Sequence, residues 1–290
     1  MVADLEERFA GFAARLRPAA PYRDPWPAER RLAMIAIDHI ARGHLARGHL
    51  ARGHLARAHT GAGHTATNHP VAPQSTPSAL TRLGFSRGEE IDAATGRPYA
   101  MYVGGAWGVV LVDLSMPARV VVEVPHPNSD LRTERMGARL FRLVPGSVLL
   151  MAGAHRRAAG GAADVAHNDR SLFNALAAGA AGRRLPQVQL HGFADRSLPG
   201  LDAVISTGTT TATPAAVRVT DRLRRIGLAT CQSWQDSRGR LEGIGNVQAL
   251  TAERLGTVFI HLELNWRVRG DERLRSGALE AVAAADIAAG

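Results

Sequence analysis

From Ser78 onward the chain alternates short apolar runs with amphipathic stretches. Val120–Val124 (VVVEV) is a nearly continuous β-branched run, the pattern of a strand buried on both faces. Ser147–Ala152 repeats it, and shorter strand patterns follow at Gln187–Leu190, Ala203–Ser206 and Thr257–Leu264. Between them, helical periodicity predicts helices at Asp130–Leu143, Asp169–Ala178 and Pro214–Ile226, with a last helix at Leu274–Ala285. Pro214 suits a first helical position, where a missing N–H costs least. Short strands are also expected around Tyr99–Val103 and Trp107–Asp113, after a turn at Gly96–Tyr99. Strands alternating with helices predict an α/β fold, a mostly parallel or mixed sheet with helices on both faces.

The N-terminal part reads differently. Val2–Leu16 and Glu29–Ile40 are amphipathic helical patterns separated by Pro18, Pro21, Pro25 and Pro27. Histidines then recur at 39, 44, 49, 54, 59, 64 and 69, within repeats of ARGHL that decay into a Gly/Thr/Pro-rich stretch. Five residues of α-helix advance about 500°, which turns each imidazole about 140° from the last. Successive rings therefore cannot converge on one ion from a single helix. The repeat reads as a slipped tandem duplication. Three regions are expected: a helical segment 1–40, a repeat and linker 41–78, and an α/β domain 79–290.

Composition narrows the function classes. The net charge is +9, and all 35 basic residues counted as Lys or Arg are arginine. With so much Ala and Gly, that bias looks like coding composition rather than selection for phosphate binding. Aromatics are only 5% of the chain, and no zinc-finger, RNP or OB-type pattern accompanies the charge, so nucleic acid is not the expected partner. No apolar window reaches the roughly 18 residues of a membrane span, and no secretory signal pattern opens the chain. One cysteine, Cys231, excludes an intramolecular disulfide framework. A cytoplasmic location is expected, and oligomeric state is left open.

The chemistry gathers at predicted strand ends, where α/β sheets bind ligands. Val120–Val124 delivers His126, followed by Asp130 and Glu134; the second strand leads to His155 and Arg156; Gln187–Leu190 leads to His191. A catalytic zinc takes three protein ligands and keeps a position open. His126, Glu134 and His191 are the expected set, with Asp130 either replacing Glu134 or fixing the His126 tautomer. Glu134 is preferred for its longer reach. Glu263 lies within the apolar run VFIHLEL, where a buried carboxylate is costly without a purpose. It is the candidate general base, unless it only pairs with Arg267 or Arg269. Arg156 is placed to polarise a carbonyl or clamp a carboxylate. Asp164, His167, Asn168 and His155 are candidates for lining the pocket, orienting Arg156 or serving as alternative ligands. No GxSxG elbow and no GxGxxG fingerprint is present, so no organic cofactor is expected.

The order of these features resembles the zinc-dependent amidohydrolase group, which includes N-acetylmuramoyl-L-alanine amidases, N-formylglutamate amidohydrolases and zinc carboxypeptidases. VPHPNSD, TERMGARLF, GAHRRA, VQLHGF and HLELNWRVR carry the resemblance, over about 120–270. It implies a phosphorylase/hydrolase-like sheet, zinc on His126, Glu134 and His191, Glu263 as base, and Arg156 on the substrate side. The implied substrate is an N-acyl amino acid, a peptide or a muropeptide. The competing expectation is a non-catalytic binding or scaffold protein with an arginine-rich surface for an anionic partner.

Overall fold

The computed structural model describes residues 4–42, 78–236 and 241–289. The histidine repeat from position 44 onward lies outside the described residues. Two helices come first, α1 (Leu5–Ala13) and α2 (Pro27–Ala41). Asp4 caps α1 by accepting from the Glu6 amide, and the Glu29 carboxylate reaches back to the Trp26 amide at the start of α2.

A short α3 (Ala79–Arg82) leads into the sheet strands β1 (Ser86–Ile91), β2 (Pro98–Val103), β3 (Val109–Asp113) and β4 (Val120–Val124). Then come α4 (Thr133–Leu143), β5 (Ser147–Met151), α5 (Leu172–Ala181), β6 (Gln187–Phe193), β7 (Ala203–Ser206) and α6 (Pro214–Arg225). The chain continues through β8 (Thr230–Gln232), α7 (Val247–Arg254), β9 (Phe259–Asn265), α8 (Trp266–Gly270) and α9 (Glu272–Ala283). The strands form one nine-stranded mixed sheet in the order β1-β2-β3-β5-β4-β6-β9-β7-β8. Its centre, β5-β4-β6-β9, is parallel, while β1, β2, β3 and β5 pair antiparallel and β7 runs antiparallel to β9. The α/β class expected from the alternating pattern is the observed one.

Helices cover both faces. One face buries Val122, Val124, Leu149, Leu190, Ile260 and Leu262 beneath residues of α1, α4, α6 and α9. The other buries Val121, Val148 and Leu150 against α2, α3 and α5. On β4, β6 and β9 that second face turns polar along each strand. Glu123, Gln189, His191, His261 and Glu263 are all buried there. Parallel register sets Glu123 beside Gln189, Gln189 beside His261, and His191 beside Glu263. Buried polar groups at the centre of a sheet are tolerated only when partnered, so this stripe marks where the fold departs from an apolar core.

Several elements differ from the expected pattern, among them α3, β8 and α8, for which no element was expected. β1 (SRGEEI) is an almost wholly exposed edge strand, and its charged residues carry no apolar alternation. α7 falls outside the expected elements, because only the Asn246 cap announces its eight residues. The helix expected from Asp130 begins at Thr133, because Asn128 and Arg132 take left-handed backbone angles (φ 63° and 75°) and hold the intervening residues in turns.

Candidate metal centre

The β4–α4 connection builds the first half of the site. Asp130 N and Ser129 N both donate to the His126 carbonyl, at 2.9 and 3.0 Å, and this tight turn brings the Asp130 carboxylate back over the His126 ring. The second half comes from β6, whose carboxyl end carries His191 to the same place. Asp130 Oδ2 lies 3.3 Å from His126 Nδ1 and 3.1 Å from His191 Nδ1. The two rings meet edge-on, with centroids 5.0 Å apart and planes at 70°. His126, Asp130 and His191 are all buried.

The far side of each imidazole faces an acceptor. His126 Nε2 is 2.7 Å from Asp164 Oδ1, and His191 Nε2 is 2.7 Å from Gln189 Oε1. An Nε2–H on each ring satisfies those contacts and leaves both Nδ1 lone pairs aimed at the Asp130 carboxylate. Three electron-rich atoms at this range repel unless positive charge sits among them. Two imidazoles and a carboxylate, with outer hydrogen bonds in place, form a donor set that suits a divalent transition metal.

Without a metal ion, the positive charge at the cluster comes from a proton on His126 and from the Arg156 guanidinium beside it. Burial opposes charging that ring, but the Asp130 and Asp164 carboxylates outweigh it and hold its pKa above the ordinary imidazole value. Burial by itself would raise the Asp130 pKa; the two histidines that face its carboxylate reverse that and hold it far below the usual carboxylate range. Burial leads the opposite shift at His191, whose pKa is lowered.

A second group, His191, His261 and Glu263, also brings potential ligand atoms within 4.8 Å of one another. His191 and His261 are stacked, however, at 4.4 Å with planes 30° apart. Imidazole lone pairs lie in the ring plane, so nearly parallel rings aim theirs side by side rather than at one point. The first group is therefore the better ion site.

A cavity of about 290 Å³ opens over these residues. Its lining includes His126, His191, Arg156, His167, His261, Glu263 and the segment 241–246. Glu263 has one carboxyl oxygen, Oε2, buried with no hydrogen-bond partner among the described residues. Burial, then repulsion from Asp130, raises its pKa well above the normal glutamate value. The expected alternative, an ion pair with Arg267 or Arg269, is not formed. Arg267 binds Asp202, and Arg269 donates to the carbonyls of Leu264 and Phe193. His261 is buried on the same strand face, its Nδ1 also unpartnered, and burial lowers its pKa well below the ordinary value.

The other expected residues divide. Asp164 joins the site: Oδ1 holds His126, while Oδ2 accepts from Arg156 Nη2 at 2.6 Å and Nε at 3.2 Å. Arg156 Nη1 reaches to 3.3 Å from His126 Nδ1, so this guanidinium also faces the cluster. His167 lines the cavity, 3.3 Å from Asp164. His155 does not enter it; its Nδ1 accepts from the Arg157 amide and its Nε2 sits 3.4 Å from Ser129 Oγ. Asn168 is a structural tie that donates to Asp24 and to the Ala162 carbonyl.

Glu134 is not brought to the cluster. It lies in the first turn of α4, one carboxyl oxygen buried without a partner among the described residues, while Asp130 in the preceding turn occupies the place expected for it. Among residues the sequence did not single out, Gln189 stands directly behind His191, and Asn246 and Gln248 hold Gln189 in place. The only cue to Gln189 was its alternation with His191 in VQLH, and none marked Asn246 or Gln248 as its partners.

No family model matches the chain, and no curated protein matches it. Among solved structures it is similar to N-formylglutamate amidohydrolase from Ralstonia eutropha JMP134, at 15% identity and a TM-score of 0.41, over 58% of this chain and 93% of that one. It is also similar to a zinc-free apo structure of YNDL, at 13% identity and a TM-score of 0.38, over 71% of this chain and 88% of that one. Both are distant likenesses, and the chemistry of the site rests on this chain's own side chains.

Proposed function

We propose that this protein is a zinc-dependent hydrolase that cleaves the amide bond of an N-acyl amino acid, peptide or muropeptide. The observation that carries the reading is the convergence of His126 Nδ1, Asp130 Oδ2 and His191 Nδ1, with both Nε2 atoms turned to outer acceptors. In this reading Asp130, not Glu134, is the carboxylate ligand. A cation held there supplies Lewis acidity, which polarises a carbonyl and makes a water a better nucleophile at neutral pH.

The chain's own residues do the rest. Glu263 faces the cavity with Oε2 free of any hydrogen-bond partner among the described residues, placed to take a proton from water and return it to a leaving amine. Arg156 is held by Asp164 with Nη1 turned to the site, so its charge meets negative charge developing on the substrate oxygen without first being reoriented. Asp164 also fixes the His126 ring from behind.

The test is a screen of zinc-loaded protein against N-acyl amino acids, peptides and muropeptides. Hydrolysis that Glu263→Gln abolishes while bound zinc is retained supports the reading. Zinc lost in His191→Ala but no hydrolysis of any amide would instead favour a metal-holding binding protein.

A further inference from the structure

Resting on the reading of His191 as a metal ligand, we propose that Gln189 is a positioning residue that fixes the His191 tautomer and so presents Nδ1 to the cation. Neither amide orientation nor imidazole tautomer is self-evident from atom positions. Here both follow from backbone groups, whose donor and acceptor roles are unambiguous. Asn246 caps α7, with Oδ1 accepting from the Gln248 and Ala249 amides at 3.0 and 3.1 Å. Its Nδ2 must therefore be the atom facing Gln189, and it donates to Gln189 Oε1. Gln248 Nε2 donates to the Val165 carbonyl at 2.9 Å, which leaves Gln248 Oε1 facing Gln189 and requires a donor there. Gln189 Nε2 is that donor, at 3.1 Å, and it also donates to Glu123 Oε2 at 2.7 Å.

Gln189 is thus oriented from both ends, with Oε1 turned toward His191. An amide oxygen only accepts, so His191 Nε2, 2.7 Å away, must carry the proton. A neutral imidazole with its proton on Nε2 has its lone pair on Nδ1, the atom beside Asp130. The chain of dependence runs from the start of α7 through β6 to the metal position. It also gives the buried polar stripe of β4 and β6 a purpose.

Two measurements on the full-length protein test this. The first is zinc affinity by competition with a chelating dye, with His191→Ala titrated in parallel so that binding by other histidines is subtracted. Gln189→Met removes the acceptor at nearly constant volume, and Gln189→Glu keeps an acceptor oxygen toward His191. We expect His191-dependent affinity to fall about 10- to 100-fold in Gln189→Met and to stay within a few-fold of wild type in Gln189→Glu. Unchanged affinity in Gln189→Met overturns the proposal. So does an equal loss in both variants that merely follows their melting temperatures, since that is the mark of a structural role. If His191→Ala binds zinc as tightly as wild type, the ligand assignment itself fails and the proposal falls with it.

The second measurement needs no variant at Gln189 to fold. Long-range ¹H–¹⁵N correlation spectra of the zinc-loaded protein, with His191 identified by its absence in His191→Ala, should place the proton on Nε2. A proton on Nδ1 with Nε2 bare overturns the assignment.

Discussion

Asp130 and Glu134 show how a difference of a few residues decides which carboxylate meets the two histidines. Both are carboxylates behind His126, and from sequence the longer side chain seemed better able to reach back. The backbone overrides reach: turns at Asn128 and Arg132 fold Asp130 over the ring and send Glu134 into the helix. Asp130→Asn is therefore expected to weaken His191-dependent zinc binding by at least about 100-fold, more than an outer hydrogen bond contributes. Glu134→Gln should leave it unchanged; isothermal titration of both variants separates the two assignments. Glu123 makes a different prediction. Complete burial pushes its carboxyl up to about 8, from an ordinary 4.5. The folded chain then binds a proton that the unfolded chain has released, so Glu123's contribution is full below pH about 4.5 and is lost as pH rises through about 8. Glu123→Gln should gain stability relative to wild type across that window, on the order of a few kcal/mol. Urea denaturation at pH 5 and pH 9 reads the difference, and a parallel pair of pH profiles would refute it.

At the scale of elements, the strand ends were legible and the layer behind them was not. His126 and His191 follow apolar runs, where the strand-end rule finds them without a structure, and Glu263 is conspicuous as a carboxylate inside one. Gln189, Glu123 and His261 sit inside apolar runs, where a polar residue looks like an interruption until register aligns three strands. The loop over the cavity was equally hidden, because its role depends on close approach rather than on residue chemistry. Gly243 has φ +64°, and an added Cβ would lie 2.8 Å from the His261 ring, which is itself stacked on His191. Gly243→Ala should cost about 2–4 kcal/mol, combining left-handed backbone strain with overpacking. Chemical denaturation measures it; a cost below about 0.5 kcal/mol would show that the loop does not clamp the ring.

At the scale of the molecule, the alternating pattern was enough to expect a mixed or parallel sheet covered on both faces, and the sheet places the site beyond the carboxyl ends of β4 and β6, where such sheets bind ligands. Among the described residues, no helix is long and apolar enough to cross a membrane. Because the three proposed ligands come from two separate parts of the chain, the unfolded state has no equivalent site, and metal binding must stabilise the fold. Zinc at about 100 times its dissociation constant should add about 2.7 kcal/mol, a rise of several degrees in melting temperature that His191→Ala abolishes. The most direct measurement is a crystal structure of the zinc-loaded protein with anomalous data at the zinc edge. A single strong peak about 2.0–2.2 Å from His126 Nδ1, an Asp130 carboxylate oxygen and His191 Nδ1 is the predicted result. Zinc on Glu134 in place of Asp130, on the Nε2 atoms, or only on histidines outside this cluster would contradict it.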